Sequence, residues 1–427
     1  MKLYSLLLFF TLTFGVVRSQ YYFPPLTGNT WETMDPAELG WCEDSIALLD
    51  NYLANSTTKA FLLLKDGKIV IERYYGTFTM DSLYVWNSAG KTLTAYAVGI
   101  AQTEGLLDID NPTTDYLGAG WSNATLAQEG AVTVLNQLKM TTGFDDGVPD
   151  VDCTDPECLL YLADPDTRWA YHNAPYTLLD SVMEIATGMS MSNYVYQKIG
   201  SKIGMPGLYL SIGYNHVFVS KARGMARFGS LLLNDGYWNG TPVQTDLNYL
   251  QAMRTPSQAL NPSYGYLTWL NGQSSFKLPG LQVNFPGPLL PNAPMDLYAA
   301  EGKNGQIINV VPSTGMVVVR MGATLGNSLV STQYNDTLWQ YINRLSCDLG
   351  TNSLNDINYN ILQMEGKQIQ ITGLKPNDSI EFVDSTGKRV VFRQSDNNFD
   401  LSMLSEGIYF IRINSSGKQK VFKLLLN

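Results

Sequence analysis

Two spacings of apolar residues alternate along this chain and divide it into elements. Between Asp44 and Leu53 they fall at helical intervals, with Asp44 or Ser45 placed to cap the first turn. Ala60 to Leu64 and Ile69 to Arg73 read as strands, and Lys65-Asp66-Gly67-Lys68 between them carries the Asp-Gly pair favoured in tight hairpins. Leu93, Tyr96, Ala97 and Ile100 line one face of a helix from Ser88 to Glu104, which Gly105 closes. Helical spacing returns over Thr133 to Met140, Ala174 to Thr187, Met191 to Ile199 and Lys221 to Asn234. Tyr298 to Val311 and Met316 to Met321 read as strands around a Pro312-Ser313-Thr314-Gly315 turn, and Leu329 to Leu345 as a last helix. Strands at both ends with helices between them make a layered α/β plan.

Beyond about Gly350 Trp, Cys and His disappear and short alternating strands take over. Gln368 to Ile371, Ser379 to Val383, Lys388 to Arg393, Gly407 to Ile413 and Gln419 to Leu425 are separated by turns such as Ser385-Thr386-Gly387 and Ser415-Ser416-Gly417. This predicts a small all-β sandwich over 350–427. At the other end, Met1-Lys2, the apolar run Leu6 to Val17 and the small-residue site Val17-Arg18-Ser19 predict a signal peptide over 1–19. That run is too short to span a membrane comfortably, no other run approaches about 20 apolar residues, and the expectation is export without a transmembrane segment.

Composition narrows the partners. The formal charge of −10, which becomes −12 once Lys2 and Arg18 leave with the leader, argues against nucleic acid, whose phosphates need a basic footprint. The four cysteines suit an oxidising compartment, and the expected pairs are Cys153 with Cys158 and Cys42 with Cys347. Only His172 and His216 are available as imidazoles, so neither a metal site nor a cofactor is expected.

The same scarcity restricts a Ser-His-Asp triad to one of those two histidines. The other common way to activate a serine is a lysine one helical turn away, held neutral so that it can accept a proton. Ser-x-x-Lys occurs five times, beginning at Ser56, Ser88, Ser274, Ser385 and Ser415, but only Ser88 opens a helix with an apolar face. Ser88-Ala89-Gly90-Lys91 therefore supplies the candidate nucleophile and base. Tyr171-His172-Asn173 and Lys303-Asn304-Gly305-Gln306 follow in order.

With these three motifs the chain resembles the serine β-lactamase and penicillin-binding protein superfamily. The flanks Leu106 to Pro112, Leu138 to Phe144 and Thr167 to Tyr176 resemble its class C-like branch of esterases, D-aminopeptidases and 6-aminohexanoate-oligomer hydrolases. The resemblance covers roughly 40 to 347. It implies an antiparallel sheet flanked by helices plus an all-helical region, forming a hydrolase domain over 20–349. It also implies Ser88 as the acylated nucleophile, Lys91 as its base and Tyr171 as a proton relay to the leaving group. Asn173 would orient Lys91 or substrate, and Lys303 would set the field near Tyr171 and help to keep Lys91 neutral. Gly305 and Gln306 complete the motif, with the N–H groups of Ser88 and Gln306 holding the oxyanion, a donor type worth about 3 kcal/mol each. Asn304 stands where the β-lactamases carry Thr, which disfavours a lactam-carboxylate pocket.

Other readings accompany the site. Tyr171 is also readable as a core tyrosine, Lys303 as a solvated strand-edge lysine, His172 as a packing residue, and His216 as a loop residue. Asp150, Asp152, Asp155 and Glu157 read as a solvated loop or as a cleft rim suited to amines. The expected substrate is a small ester or amide. The alternatives are a β-lactamase or D-Ala-D-Ala carboxypeptidase, and an inactive surface binding protein. Leu404 to Ile413 and Gly417 to Leu424 resemble the C-terminal sorting domain of the bacterial type IX secretion system. This implies export through the periplasm to the cell surface or exterior, with the secretion machinery as partner.

Overall fold

The computed structural model describes residues 21–323, 330–347, 360–364, 367–384, 387–395, 397–415 and 418–426, and falls into two compact units, 1–345 and 346–427. The leader, Leu329 and the turn residues Ser385, Thr386, Ser416 and Gly417 lie outside the described residues. In the first unit, helix α1 (Glu43–Asn55) precedes strands β1 (Thr58–Lys65), β2 (Lys68–Tyr74) and β3 (Tyr84–Val85). Helices α2 (Gly90–Thr103) and α3 (Asn173–Thr187), strands β4 (Gly207–Ile212) and β5 (Asn215–Ser220), and helix α4 (Ala222–Leu233) follow. Strands β6 (Trp269–Leu270), β7 (Tyr298–Gly302), β8 (Gln306–Val311) and β9 (Met316–Gly322) lead to helix α5 (Thr332–Ile342).

One antiparallel sheet runs in the order β2-β1-β9-β8-β7-β6. Its central strands are continuous apolar runs because helices cover both faces. Helix α4 packs on β1, β8 and β9, while α1 lays Leu49 and Leu53, one turn apart, against the sheet. Tyr52 of α1 stacks on Tyr334 and Tyr341 of α5, with ring centroids 5.4 and 4.4 Å away. The Asp66-Gly67 link takes positive φ at both residues (49° and 84°), the geometry that lets two residues join twisted strands.

Local chemistry explains the departures from the sequence pattern. The stretch 298–311 is a hairpin and not one strand, because Asn304 and Gly305 adopt φ of 67° and 73° and reverse the chain. Strands β3, β5 and β4 form a small sheet that the periodicity did not announce, because Leu208, Leu210 and Ile212 of β4 point to solvent. Ser88 lies in a 3-10 turn, Asn87–Ala89, immediately before α2.

The second unit pairs Asn360–Met364, Gln368–Thr372, Asn398–Asp400 and Arg393–Ser395 in one sheet. Ser379–Asp384, Gly407–Ser415 and Lys418–Leu426 form the other. Ile369, Ile371, Phe382, Phe399, Ile411 and Ile413 fill the core between them. Lys388 to Arg393 is not the continuous strand expected there: Arg389 makes an isolated bridge to Val383, and the next strand starts at Arg393.

A buried cation ties the hairpin to the start of β1. Arg320 on β9 is fully buried and donates to Ser56 O at 2.7 Å, Thr58 Oγ1 at 3.0 Å, Asn304 O at 3.0 Å and Gly305 O at 2.9 Å. Its guanidinium also lies 4.2 Å from the Tyr334 ring centroid. Replacing it with Met is expected to strand these acceptors and lower the unfolding free energy by about 3–5 kcal/mol, read as a shift in the urea midpoint.

Candidate active site

Ser88, the expected nucleophile, is positioned by a crowded turn. Trp86 is fully buried, with its indole N–H on Ser220 Oγ at 2.8 Å and its backbone N–H on Phe218 O at 2.8 Å. Asn87 then takes φ of 48° and sends Nδ2 to the Lys303 carbonyl at 2.9 Å. These contacts leave Ser88 half-buried at the head of α2, whose residues from Gly90 to Ala101 are all buried.

Lys91, one turn on, is 4% exposed and donates to Ser88 Oγ at 3.2 Å. Its ammonium lies 4.0 Å from the Tyr176 ring centroid and 5.3 Å from that of Tyr171. Burial lowers its pKa to about 7, against the opposing pull of Asp152 and then Asp180. Desolvation therefore wins over two carboxylates. Lys303 is not among the charges that act on Lys91.

Tyr171 is 4% exposed, stacked on Trp269 with centroids 5.8 Å apart and edge-on to Tyr264 at 6.2 Å. Its burial raises the phenol pKa, a hydrogen bond with the Ser88 side chain opposes the rise, and the charge of Glu301 adds to it. The hydroxyl thus meets Ser88 and stays protonated. Asn173, the first residue of α3, gives Nδ2 to Asp152 Oδ1 at 2.7 Å, while its buried Oδ1 has no partner among the described residues. Asp152 adjoins the Cys153–Cys158 disulfide, and Cys42 and Cys347 are also disulfide-bonded.

The third motif is arranged differently from the sequence expectation. Lys303 is exposed in the β7–β8 turn, and only its backbone reaches the nucleophile's turn. Gln306 sits opposite Gly302 in the hairpin, and its side chain donates to Gly322 O at 2.6 Å, so it secures β8 to the end of β9. Gly305 supplies the positive φ of the turn. The residue against Ser88 is Gly302: a Cβ there would lie 2.9 Å from Ser88 N and 2.7 Å from Trp86 O.

Ladder parity identifies the free donor on β7. Asn271 N donates to Leu297 O at 2.9 Å, and Ala299 faces Trp269. Hydrogen-bonding positions alternate along an antiparallel strand, so Leu297, Ala299 and Glu301 turn their peptide groups toward the β6 side. Strand β6 spans only Trp269–Leu270, which leaves the Glu301 N–H on an unpaired edge while Gly302 pairs with Gln306. The Glu301 side chain faces away, accepting from Asn335 Nδ2 at 2.6 Å.

Neither histidine serves Ser88. His172 is 2% exposed with neither ring nitrogen hydrogen-bonded among the described residues, and burial keeps it neutral down to about pH 4. His216 is not a loop residue, since it lies on β5 with Nδ1 3.0 Å from Asp180 Oδ2. Sequence reading missed Tyr176, Gly302 and Asp180; the signals available were the helical spacing of Tyr176 and Asp180 and a glycine ending a strand. Among the described residues no group of three or more His, Cys, Asp or Glu side chains converges to hold a metal.

Comparison with known proteins bears on the fold and the family. Residues 48–339 match the Beta-lactamase family, and residues 343–427 match the secretion system C-terminal sorting domain. A Bacteroides dorei protein assigned as a beta-lactamase superposes with a TM-score of 0.58 at 15% identity, covering 72% of this chain and 99% of that one. A Bacillus anthracis protein assigned as a 6-aminohexanoate-dimer hydrolase gives 0.52 at 18%, covering 69% and 80%. A family VIII carboxylesterase gives 0.53 at 14%, covering 72% and 99%.

Two substitutions separate the backbone role of β7 from a side-chain role of the turn. Gly302→Val is expected to push β7 off Ser88 and slow fluorophosphonate capture by about tenfold to a hundredfold, with far-UV circular dichroism unchanged. Lys303→Ala is expected to leave capture within about twofold.

Proposed function

The chain belongs to the beta-lactamase family, and on that premise we propose that it is an exported serine hydrolase cleaving a small ester or amide through an acyl-enzyme on Ser88. The sorting domain at 343–427 directs it through type IX secretion to the cell surface or exterior, and no helix among the described residues is long and apolar enough to cross a membrane. The observation that carries the reading is Lys91 Nζ at 3.2 Å from Ser88 Oγ, with burial lowering that lysine's pKa to about 7. A lysine so placed is a usable base near neutrality.

Neutral Lys91 takes the Ser88 proton as Oγ bonds to the substrate carbonyl carbon. The N–H groups of Ser88 and Glu301 receive the developing oxyanion, Glu301 taking the place expected of Gln306. As the carbonyl re-forms, the bond to the leaving group breaks and Tyr171 gives that group its proton, recovering one from Lys91. Tyr171 suits the donor role because burial favours its phenol form. Water then adds to the acyl-enzyme, losing a proton to the Lys91–Tyr171 pair; as the acyl–Oγ bond breaks, that proton passes to Ser88 Oγ and the acid leaves.

The substrate class follows from what the third motif lacks. A lactam carboxylate needs a cation and a hydroxyl beside the oxyanion donors, and here Asn304 replaces the hydroxyl while the Lys303 side chain is exposed. The fold neighbours assigned to ester and aminohexanoate-dimer hydrolysis support an open-chain ester or amide as the substrate.

Labelling with a fluorophosphonate and with a penicillin, on the wild type and on Ser88→Ala, tests the proposal. Capture of the phosphonate alone, lost in Ser88→Ala, is the expected outcome. Capture of both would assign a penicillin-recognising enzyme, and capture of neither a binding protein. Because Lys91 must be neutral, kcat/KM is expected to rise with pH through a midpoint of about 7, and an acid limb below pH 5 would assign the base elsewhere.

A further inference from the structure

A buried carboxylate that this mechanism does not use lies on α3, the helix that packs against α2 and its Lys91. Asp180 is on α3, one turn after Tyr176, whose ring centroid is 4.0 Å from Lys91 Nζ. It is 1% exposed, its Oδ2 is 3.0 Å from His216 Nδ1, and its Oδ1 has no hydrogen-bond partner among the described residues. The His216 side chain is 37% exposed. An acid that cannot reach solvent is thus joined to an imidazole that can.

The groups around this pair are few. Helix α2 presents Lys91, α3 presents Tyr176 and Glu184, β4 presents Tyr209, and β5 presents His216. Both tyrosine hydroxyls are occupied by Thr94 Oγ1, at 3.3 Å for Tyr176 and 3.1 Å for Tyr209. Burial keeps those phenols protonated, so Lys91 and His216 are the cations of the cluster, and Asp180 and Glu184 its anions together with Asp152, which acts on Lys91 from the acidic loop.

We infer that Asp180 and His216 are a positioning pair for the base: the Asp180 carboxylate acts through space on Lys91, and the proton on His216 sets how much of that field Lys91 feels. The inference rests on Lys91 being the base of Ser88. Complete neutrality would not serve this lysine, because it must hold the serine proton as an ammonium until the leaving group needs it. Asp152 and then Asp180 supply the counterweight, their fields on Lys91 opposing the dominant desolvation, and Asp180 is the one of the two joined to an imidazole.

The sign follows from the charges. The hydrogen bond to Asp180 raises the His216 pKa above its usual value, against burial. Below that pKa the imidazolium cancels part of the carboxylate's field, and Lys91 gives up its proton more readily. Above it the imidazole is neutral, Asp180 acts unopposed, and Lys91 holds its proton more tightly. The pair therefore broadens the pH range over which Lys91 is part neutral and part charged.

Asp180→Asn keeps the shape and a hydrogen-bonding amide while removing the charge. The acid limb of kcat/KM is expected to move down by roughly half a unit to one pH unit. The His216 imidazole, followed by proton NMR, is expected to fall back toward about 6.5. Assignment is direct, because the chain's other histidine, His172, stays neutral to about pH 4. A folded Asp180→Asn enzyme whose acid limb does not move overturns the inference. Should that variant not fold, the wild type decides, and His216 titrating at or below about 6.5 overturns it equally. Absence of Ser88-dependent turnover in the wild type would instead defeat the proposed function, which distinguishes the two failures.

Discussion

An ammonium group held out of water is the constraint on which the rest of this active site depends. A lysine beside a serine is ordinarily charged and useless as a base, and no hydrogen bond to the hydroxyl changes that. What changes it is α2, whose residues from Gly90 to Ala101 are buried without a break, so that Lys91 stands on the first turn of the most enclosed helix in its unit. Two carboxylates, Asp152 and Asp180, pull its pKa up, and burial still brings it to about 7. The aromatic faces of Tyr171 and Tyr176 temper the desolvation without restoring water. The hydrophobic core is thereby part of the chemistry, since any change that admits water beside Tyr176 would return Lys91 to its ordinary charged state.

A second requirement is that one backbone donor remain free next to the nucleophile. The sheet provides it through unequal strand lengths: β6, antiparallel to its neighbour, begins only at Trp269 opposite Ala299, while β7 continues to Gly302. An unpaired strand end beside a cleft is loose unless held from elsewhere. Here it is held from below, where Glu301 is bonded to Asn335 and Asn335 to Asn309 at 2.7 and 2.9 Å, and from its tip, where Arg320 binds two turn carbonyls. The Glu301 carboxyl, whose pKa burial raises to about 7, is thus tolerated in the core as a strut for its own N–H.

The parts of this arrangement legible in the sequence are those that depend on local spacing. Ser88 and Lys91 meet because three residues make nearly one helical turn. Tyr171 and Asn173 were legible as a motif ahead of an amphipathic helix, and Asp66-Gly67 as a hairpin. The β7–β8 motif misleads because its lysine reads as a charge beside Tyr171 and its donor peptide as that of Gln306, which instead faces Gly302 across the hairpin. Lys303 and Gln306 carry the recognisable letters, while the contribution at that point comes from a peptide group and from a glycine small enough to touch Ser88. Asp180 and His216 were illegible for another reason: they are 36 residues apart and meet only because β5 packs beside α3. No local pattern marks an aspartate on an apolar helix face as one that will be paired.

The acidic loop shows how a distant constraint enters the same balance. Asp152 raises the Lys91 pKa, so an Asp152 free to wander would make the base's strength fluctuate. Three connections restrain it: the Cys153–Cys158 disulfide adjoining it, the bond from Ala174 N to Val151 O at 3.0 Å, and the bond from Asn173 to its own carboxylate. Two of these join the loop to the first turn of α3, which also carries Tyr176 under Lys91. Asn173, expected to orient Lys91 or substrate, bonds here to the carboxylate whose charge acts on Lys91. A disulfide is a stable restraint in an exported protein, where thiols stay oxidised, so the route by which the chain leaves the cell and the poise of its base are physically connected.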